Sequence, residues 1–262
     1  MQIIRIDLKR AFSSPMFWVG VLAILISGVI HATKHVGMLE QFDTPGTLNL
    51  FIFGNIIYAG GMIGVILPLV AVLPYSTSLV NDINSGFLKN QLVRVSSSRF
   101  IIQRIISTAI SGGCVFLFAF LIYFIGAFII DPSPSYRLST SMAAFTSLYF
   151  DSLLLFCIVY ILTTFLIGAA YALLGLGIGA ITRKRFAALI VPAFLYHLGY
   201  FVLFLFPAQL REKAYTFCIF DLFDFHNIQS SVESMYLKII MVMIIGIILT
   251  LVSFIQYRKG KW

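Results

Sequence analysis

Side chains that could carry out catalysis or bind a metal are few in this sequence and lie far apart. Its 262 residues hold four histidines and three cysteines, and 11% of them are charged. The sequence contains no phosphate-binding loop of the form G-x-x-x-x-G-K-[ST], no H-E-x-x-H motif and no G-x-S-x-G motif. It therefore predicts no nucleotide site and no catalytic residues in this chain.

One histidine lies inside an apolar run. His197 stands beside Tyr196 and near Tyr200, close to the middle of that run. An ionisable group inside a membrane span can mark a cargo site or a proton relay. The alternative is a hydrogen-bonded packing element, the more common role of one histidine among tyrosines. Asp151 lies at the end of another run, where water can reach it, so buried acids that would suit ion coupling are scarce.

The three cysteines have neither metal-ligand spacing nor even pairing. Cys114 and Cys157 lie in apolar runs, and Cys218 lies outside them. We expect structural thiols packed in apolar surroundings, and the sequence predicts no metal site.

The elements that must position these groups are membrane helices. The sequence is 60% hydrophobic, with a mean hydropathy of +0.99. Repeated apolar runs of about 18 residues or more predict an all-α polytopic membrane protein, because lipid cannot satisfy a non-helical backbone. We expect six spans: 15–33, 51–80, 100–130, 148–181, 187–206 and 236–256.

The charges are sorted between the two sides of these spans. Most Lys and Arg residues fall in segments on the side of the N-terminus, where the acids are Asp7 and Asp82. The positive-inside rule then predicts that both termini are cytoplasmic. The net charge of +8 is thus no sign of nucleic-acid binding. We expect a multi-pass protein of a bacterial plasma membrane.

The longest polar interruption is the stretch from Asn81 to Arg104. Its basic residues are Lys89, Arg94, Arg99 and Arg104, and its acid is Asp82. Two apolar pairs have helical i,i+4 spacing, Ile83 with Phe87 and Leu88 with Leu92. The pattern predicts a short cytoplasmic helix within residues 81–98, here called the polar connector.

The N-terminal residues 1–13 are amphipathic. Ile4, Leu8 and Ala11 share one side of a helix, and Arg5 and Lys9 share the other. This pattern predicts a helix lying in the membrane interface. The alternative is an ordinary basic flank that orients the first span. Ser13-Ser14-Pro15 is expected to end the helix.

Prolines and glycines predict how some spans bend and pack. Pro68 and Pro74 predict kinks in the second span. The G-x-x-x-G spacings Gly60/Gly64 and Gly175/Gly179 predict close helix contacts, although a lipid-facing coincidence is an alternative for the first.

Two connections outside the spans also carry predictions. The very short turn Arg183-Lys-Arg185 predicts that the spans on either side are antiparallel neighbours. Residues 208–235 form the largest outer segment, and its core from Tyr215 to Gln229 is aromatic and apolar. This composition favours short helices that dip into or lie on the outer leaflet over an ordinary folded cap.

The sequence resembles the permease subunits of ABC-2-type ATP-binding cassette exporters. Asp82-Ile-Asn-Ser-Gly86 matches the acid and glycine of their coupling helix, Leu88 and Leu92 its apolar stretch, and Val95-Ser-Ser-Ser-Arg99 its close. The chain departs from the pattern by an aspartate in place of glutamate, by Phe87 after the glycine, and by the absence of a proline. Six spans with both ends inside agree with the family.

The resemblance implies a single permease domain over residues 1–262 that is not itself an enzyme. Two such chains, identical or different, would pair in the lipid. Each would dock a cytoplasmic ATPase that binds ATP and Mg. The cargo would be amphipathic or hydrophobic: a peptide, an antimicrobial or a lipid-like molecule. The ATPase-docking residues would be Asp82, Ile83, Gly86, Phe87, Leu88, Lys89, Gln91, Leu92 and Arg94.

Particular roles follow for some of these residues. Asp82 would cap the N-terminus of the coupling helix, and Gly86 would permit close approach. The residues lining a cargo path would be Asn55, Tyr58, Tyr196, His197 and Tyr200. The alternative for Asn55 and Tyr58 is hydrogen bonding between helices of a static bundle.

Three other functional classes stay open. The first is an ion-coupled secondary carrier or a channel that acts without an ATPase. The second is a membrane-embedded enzyme, which needs a polar catalytic cluster, and the third is a scaffold that transports nothing.

Overall fold

The computed structural model of this protein describes residues 2–39, 62–130, 152–205, 207, 219, 222 and 231–258. Within these residues the regular secondary structure is helical, and no strand occurs. The helices are α1 (Gln2–Phe12), α2 (Pro15–Leu39), α3 (Met62–Val72), α4 (Ser78–Asn84), α5 (Phe87–Arg94), α6 (Ser97–Ile130), α7 (Leu153–Thr182), α8 (Arg185–Phe204) and α9 (Val232–Arg258).

Three helices are long and apolar enough to cross a membrane. The qualifying stretches are Ser97–Ile129, Leu154–Thr182 and Val232–Tyr257. A fourth span results if α1 and α2, which meet at a bend of 55°, count as one. The fold is therefore that of a helical protein with the composition of a membrane protein, while six spans and cytoplasmic termini stay predictions.

The second predicted span is interrupted in its described part. Residues 51–61 lie outside the described part of the chain. Helix α3 contains Pro68 and ends at Val72, and residues 73–77, which include Pro74, form turns before α4. A proline lacks the N–H that a continuous helix needs. The predicted bend at Pro74 is thus a full break, and this break sets the direction of α4.

Helix α7 is the centre of the described bundle. It packs against α6, α9, α8, α3 and α4. Its apolar stretch is 61% buried, against 39% for α6 and 33% for α9. The crossing with α6 is close: a Cβ on Gly112 would lie 2.3 Å from the Cβ of Ala172 and 3.0 Å from the Gly168 carbonyl oxygen. Residues without side chains let the two backbones touch.

The glycine pair near the end of α7 confirms a predicted contact. A Cβ on Gly179 would lie 2.8 Å from that of Ala188 in α8, and one on Gly175 would lie 3.0 Å from the Ala188 carbonyl oxygen. Arg183 ends α7 in the left-handed conformation, with φ 56°, and α8 begins at Arg185. The predicted neighbouring of these two helices is confirmed, whereas the Gly60/Gly64 spacing lies outside the residues whose surroundings are described.

Two apolar clusters form the interior. The larger joins α2, α3, α6, α7, α8 and α9 through residues such as Phe17, Phe116, Phe120 and Tyr171. The smaller, here called the connector core, lies under the polar connector. Its buried members are Leu79, Leu88, Phe100, Ile101, Leu173, Leu176, Ala180 and Phe254.

Most of the predicted re-entrant segment lies outside the described residues. Of residues 208–235, the structure describes Ile219, Leu222 and residues 231–235. Leu222 is buried in the larger cluster, and Ile219 packs against that cluster. Re-entry of the whole segment stays a prediction.

Candidate functional site

The polar connector is built from two helices and not from one. Helix α4 ends at Asn84, Ser85 and Gly86 form the break, and α5 begins at Phe87. Gly86 has φ 72°, which is the left-handed region that favours glycine. The predicted pair Ile83 and Phe87 therefore falls on two different helices. A Cβ on Gly86 would meet nothing within 4 Å, so its role within the chain is the turn, and close approach by a partner stays a prediction.

Helix α5 divides into a held side and a displayed side. Leu88 is fully buried in the connector core, and Leu92 is half-buried against it. Phe87 is 44% exposed, and Lys89 and Arg94 are exposed. The predicted pairing of Leu88 with Leu92 on one face is confirmed. A partner that approaches α5 would meet Phe87 and the two cations, because Leu88 points into the chain.

Arg104, expected in the polar stretch between spans, is fully buried within α6. Its guanidinium pairs with two carboxylates. Nη2 pairs directly with Asp82 in α4, and Nη1 lies 3.5 Å from Oδ1 of Asp7 in α1. Both acids are themselves almost fully buried. A buried charge is stable only when it is paired, so these carboxylates are what permits an arginine at this depth.

Hydroxyl groups and aromatic rings complete the surroundings of Arg104. Nη1 donates to the hydroxyl oxygen of Tyr75 and, at 3.3 Å, to Oγ of Ser78. The guanidinium carbon lies 5.1 Å from the ring centre of Tyr75 and 5.2 Å from that of Phe100, within the range of cation–π attraction. We call Arg104, Asp7, Asp82, Tyr75 and Ser78 the arginine cluster. It joins α1, the turn after α3, α4 and α6.

Asp82 does not cap α5 as the sequence predicted, and its predicted role in docking an ATPase stays a prediction. It lies inside α4, and the N-cap of α5 is Gly86, with no side-chain hydrogen bond. Its carboxylate instead accepts a hydrogen bond from Arg104. The prediction of a helix cap was wrong because the break falls after Asp82, which leaves this residue one turn too early to cap α5.

Sequence reasoning counted Asp7 and Arg104 only as charges on the cytoplasmic side. A stronger signal was present for each. Arg104 stands in the run Phe100-Ile-Ile-Gln-Arg-Ile-Ile, where an unpaired cation is costly. Asp7 shares the side of α1 that carries Ile4, Leu8 and Ala11. Opposite charges on two apolar faces indicate a buried pair.

The electrostatics of the cluster are shaped by an excess of acid. Burial raises the pKa of the Asp82 carboxyl, and the neighbouring Arg104 and Arg10 guanidiniums lower it by less, so the pKa stands above its ordinary value. The Asp7 carboxylate contributes to the increase. One arginine thus serves two carboxylates, and Arg10 compensates part of the remaining negative charge.

An open cleft of about 1200 Å³ lies beside the cluster. Asp7 and Asp82 line it, together with the cations Arg10, Arg94 and Arg185. The cleft therefore places α1, α5 and the start of α8 at one end of the molecule. The amide oxygens of Asn81 and Gln91 also belong to cleft-lining residues. Both oxygens are buried without a hydrogen-bond partner in the described part of the chain.

The predicted cargo-path residues are described only in part. Tyr196 is buried in the larger cluster, with its ring edge-on to His197 at 5.1 Å. His197 is half-buried, and its Nε2 has no hydrogen-bond partner among the described residues. The backbone of Tyr200 belongs to α8, while Asn55 and Tyr58 lie outside the described residues. Packing is thus a role of Tyr196, and a cargo path through these residues stays a prediction.

The described residues form no metal-binding cluster. Among them, no three His, Cys, Asp or Glu side chains come together in a way that could hold a metal ion. Cys157 is buried and Cys114 is half-buried, and both are free thiols. Cys218 lies outside the described residues.

Comparison with known proteins does not assign this chain to a family. No protein-family model matches the sequence, and no curated protein matches it. The likeness to ABC-2-type permeases therefore depends on the residues of the polar connector and on the order of the apolar runs.

Proposed function

We propose that this chain is the permease subunit of an ATP-binding cassette exporter, driven by a separate ATPase that docks on α5. The observation that carries the proposal is the arrangement of this helix. Its apolar side is fixed in the connector core through Leu88, and its exposed residues include Phe87, Lys89, Val93 and Arg94. A short helix that is anchored in the core through one side chain and carries exposed cations is suited to transmit a force from a bound partner.

The contacts of the polar connector support transmission of that force into the bundle. Leu79 and Leu88 share the connector core with Leu173 and Leu176 of α7. Phe100 and Ile101 of α6 belong to the same core. A displacement of α4 and α5 would therefore act on α6 and α7, which cross at close range through Gly112 and Gly168.

The absence of a phosphate-binding loop from the whole sequence supports a partner that supplies the energy. In this proposal ATP and Mg are bound by that ATPase, and the chain itself is non-catalytic. Two permease chains pair in the plasma membrane and move an amphipathic or hydrophobic cargo outward, such as a peptide, an antimicrobial or a lipid-like molecule.

The test uses the full chain reconstituted with a co-expressed ATPase. Reversing the displayed charges with Lys89→Glu and Arg94→Glu should lower the ATPase stimulation by the permease at least severalfold. Arg5→Glu is the matched control, because it reverses an exposed cation of α1, at the same end of the molecule, and should leave stimulation unchanged. Stimulation that survives the double reversal, or is lost equally in the control, contradicts docking on α5.

The rival function is an ion-coupled carrier or a channel that needs no ATPase. The buried charges of the arginine cluster favour this carrier or channel function, because ionisable groups within apolar bundles often belong to ion pathways. Cargo uptake into inverted vesicles separates the two functions. Uptake that runs with an ion gradient and without nucleotide would establish the rival.

A further inference from the structure

Arg104 can never be left unpaired without a large loss of stability. Its side chain is fully buried, and removing one partner of a buried ion pair leaves an uncompensated charge, which is strongly destabilising. Any movement of the elements around it must therefore keep a carboxylate within reach. Its Nε has no hydrogen-bond partner in the described part of the chain, so the guanidinium retains an unused donor.

The two carboxylates that reach Arg104 belong to elements with different attachments. Asp82, like Ser78, lies on α4, which packs against α5 and α7. Asp7 lies on α1, which packs directly against α6, the helix that carries Arg104. A displacement of α4 and α5 thus withdraws Asp82 from Arg104 but leaves Asp7 in place.

If Asp82 leaves Arg104, its carboxylate still has a cation and solvent nearby. Asp7 and Asp82 both line the cleft that also contains Arg10. A released Asp82 would face this cation and the solvent of the cleft. Arg104 is therefore paired with a carboxylate both when Asp82 is in place and when Asp82 has moved into the cleft. A two-state element requires that both of its states be stable in this way.

We propose that Arg104 is a positioning residue with two alternative carboxylate partners. Asp82 holds it to the polar connector, and Asp7 keeps it paired when the connector moves. Exchange between the two acids lets α4 and α5 shift without breaking the attachment of α1 to α6. The proposal concerns this chain alone and does not depend on the identity of what docks on α5.

The first test is a double-mutant cycle on the full chain in detergent, read as the midpoint of thermal unfolding. Asp7→Asn and Asp82→Asn each leave one carboxylate for Arg104, so each should lower the midpoint only slightly. The double variant should lose more than the sum of the two single losses. Additive losses, or an Asp82→Asn loss as large as that of the double variant, would overturn the proposal.

A further variant covers failure of the double variant to fold. Adding Arg104→Met removes the unpaired cation and should restore stability above that of the double variant, since a neutral, well-packed group of similar size tolerates burial. No recovery would show that the double variant fails for another reason, and the proposal would fall.

The second test locates each attachment by hydrogen exchange. In Asp82→Asn the amides of residues 78–94 should exchange severalfold faster while those of α1 keep their protection. In Asp7→Asn the pattern should reverse. Arg5→Gln, an exposed change on α1, is the control and should alter neither segment. Equal loosening of both segments by either aspartate variant would mean that the cluster is one rigid unit without exchange.

Discussion

At the scale of residues, the decisive feature is a fully buried arginine shared by two acids. Arg104 binds Asp82 and Asp7, and its guanidinium lies within cation–π range of two aromatic rings. Planar guanidinium geometry suits this arrangement, because several donors and two aromatic contacts are used at once. The identity of residue 104, and not only its charge, should therefore matter.

Substitution of Arg104 tests this expectation. Arg104→Leu leaves two buried carboxylates without a cation and should cost about 3–5 kcal/mol in the free energy of unfolding. Arg104→Lys keeps the charge but loses the fork of donors, and it should cost less. Thermal unfolding in detergent measures both. Arg99→Leu, an exposed arginine of the same helix, should change the free energy by less than about 0.5 kcal/mol; an equal effect at both positions would refute the special role of Arg104.

The raised pKa of Asp82 gives a pH dependence whose sign can be stated. The folded chain binds a proton at Asp82 more tightly than the unfolded chain, whose carboxyl has the ordinary value of 3.8. Protonation of Asp82 therefore favours the fold, and this contribution is lost as the pH rises through the folded pKa. Asp82→Asn, which cannot titrate, removes the effect.

We accordingly expect the midpoint of wild type minus that of Asp82→Asn to increase as the pH falls from 7 towards 4. The measurement is a series of thermal unfolding curves for both proteins in the same buffers. A difference that is constant over this range, or that decreases on acidification, would contradict the raised pKa.

At the scale of elements, the break at Ser85 and Gly86 separates two tasks. Helix α4 carries Asp82 into the arginine cluster, and α5 places Leu88 in the connector core while presenting its basic side. Neighbouring residues in α5 thus have opposite roles. Leu88 holds the helix, and Phe87 is available to a partner.

This division predicts different effects of two adjacent truncations. Leu88→Ala empties a buried site, which typically costs about 2–5 kcal/mol, and should accelerate hydrogen exchange of the α5 amides. Phe87→Ala removes a half-exposed ring and should leave exchange nearly unchanged, while it should weaken binding of the proposed ATPase. If both variants loosen α5 equally, the helix is not anchored through Leu88.

The sequence predicted the helices better than it predicted their ends. The turn after α7 and a close helix contact at Gly175 and Gly179 follow from local chemistry, and both were predicted correctly. The structure identifies α8 as the helix in contact. The separation of α4 from α5 was missed because the apolar pair Ile83 and Phe87 continues the helical spacing across the break. Only a glycine in the left-handed conformation reveals it.

The arginine cluster could not be predicted from spacing at all. Asp7 and Arg104 are 97 positions apart, and nothing local to either residue specifies the other. Periodicity indicates which side of a helix is apolar, but pairing two such sides needs the packing of α1 on α6. An acid and a base that each interrupt an apolar face are the remaining signal, and they indicate a pair without identifying the partner.

At the scale of the whole molecule, the cleft fixes which segments share an end. Residues of α1, α5 and the start of α8 line it together. Whatever the number of spans, we then expect these three segments to lie on one side of a membrane around the bundle. The positive-inside rule predicts that this side is cytoplasmic.

Single cysteines at Lys9, Asn90 and Lys184, all exposed positions, test this orientation. The background protein lacks Cys114, Cys157 and Cys218. A membrane-impermeant thiol reagent should label all three positions in inverted vesicles and none in intact cells. Labelling from the outside would reverse the predicted orientation, and a mixture of sides would show that the three segments do not share an end.

The order of residues in the arginine cluster has a consequence for biosynthesis. Asp7 and Asp82 both precede Arg104, so the ribosome has already delivered both carboxylates when the cation emerges. Helix α6 can then enter lipid with the charge of Arg104 already neutralised, provided that α1 remains at the membrane surface until α6 is synthesised. Deleting residues 2–12 in the Asp82→Asn variant, which leaves Arg104 without either acid, should therefore impair membrane integration of the nascent chain at α6, whose Arg104 lies more than ninety residues downstream of the deletion.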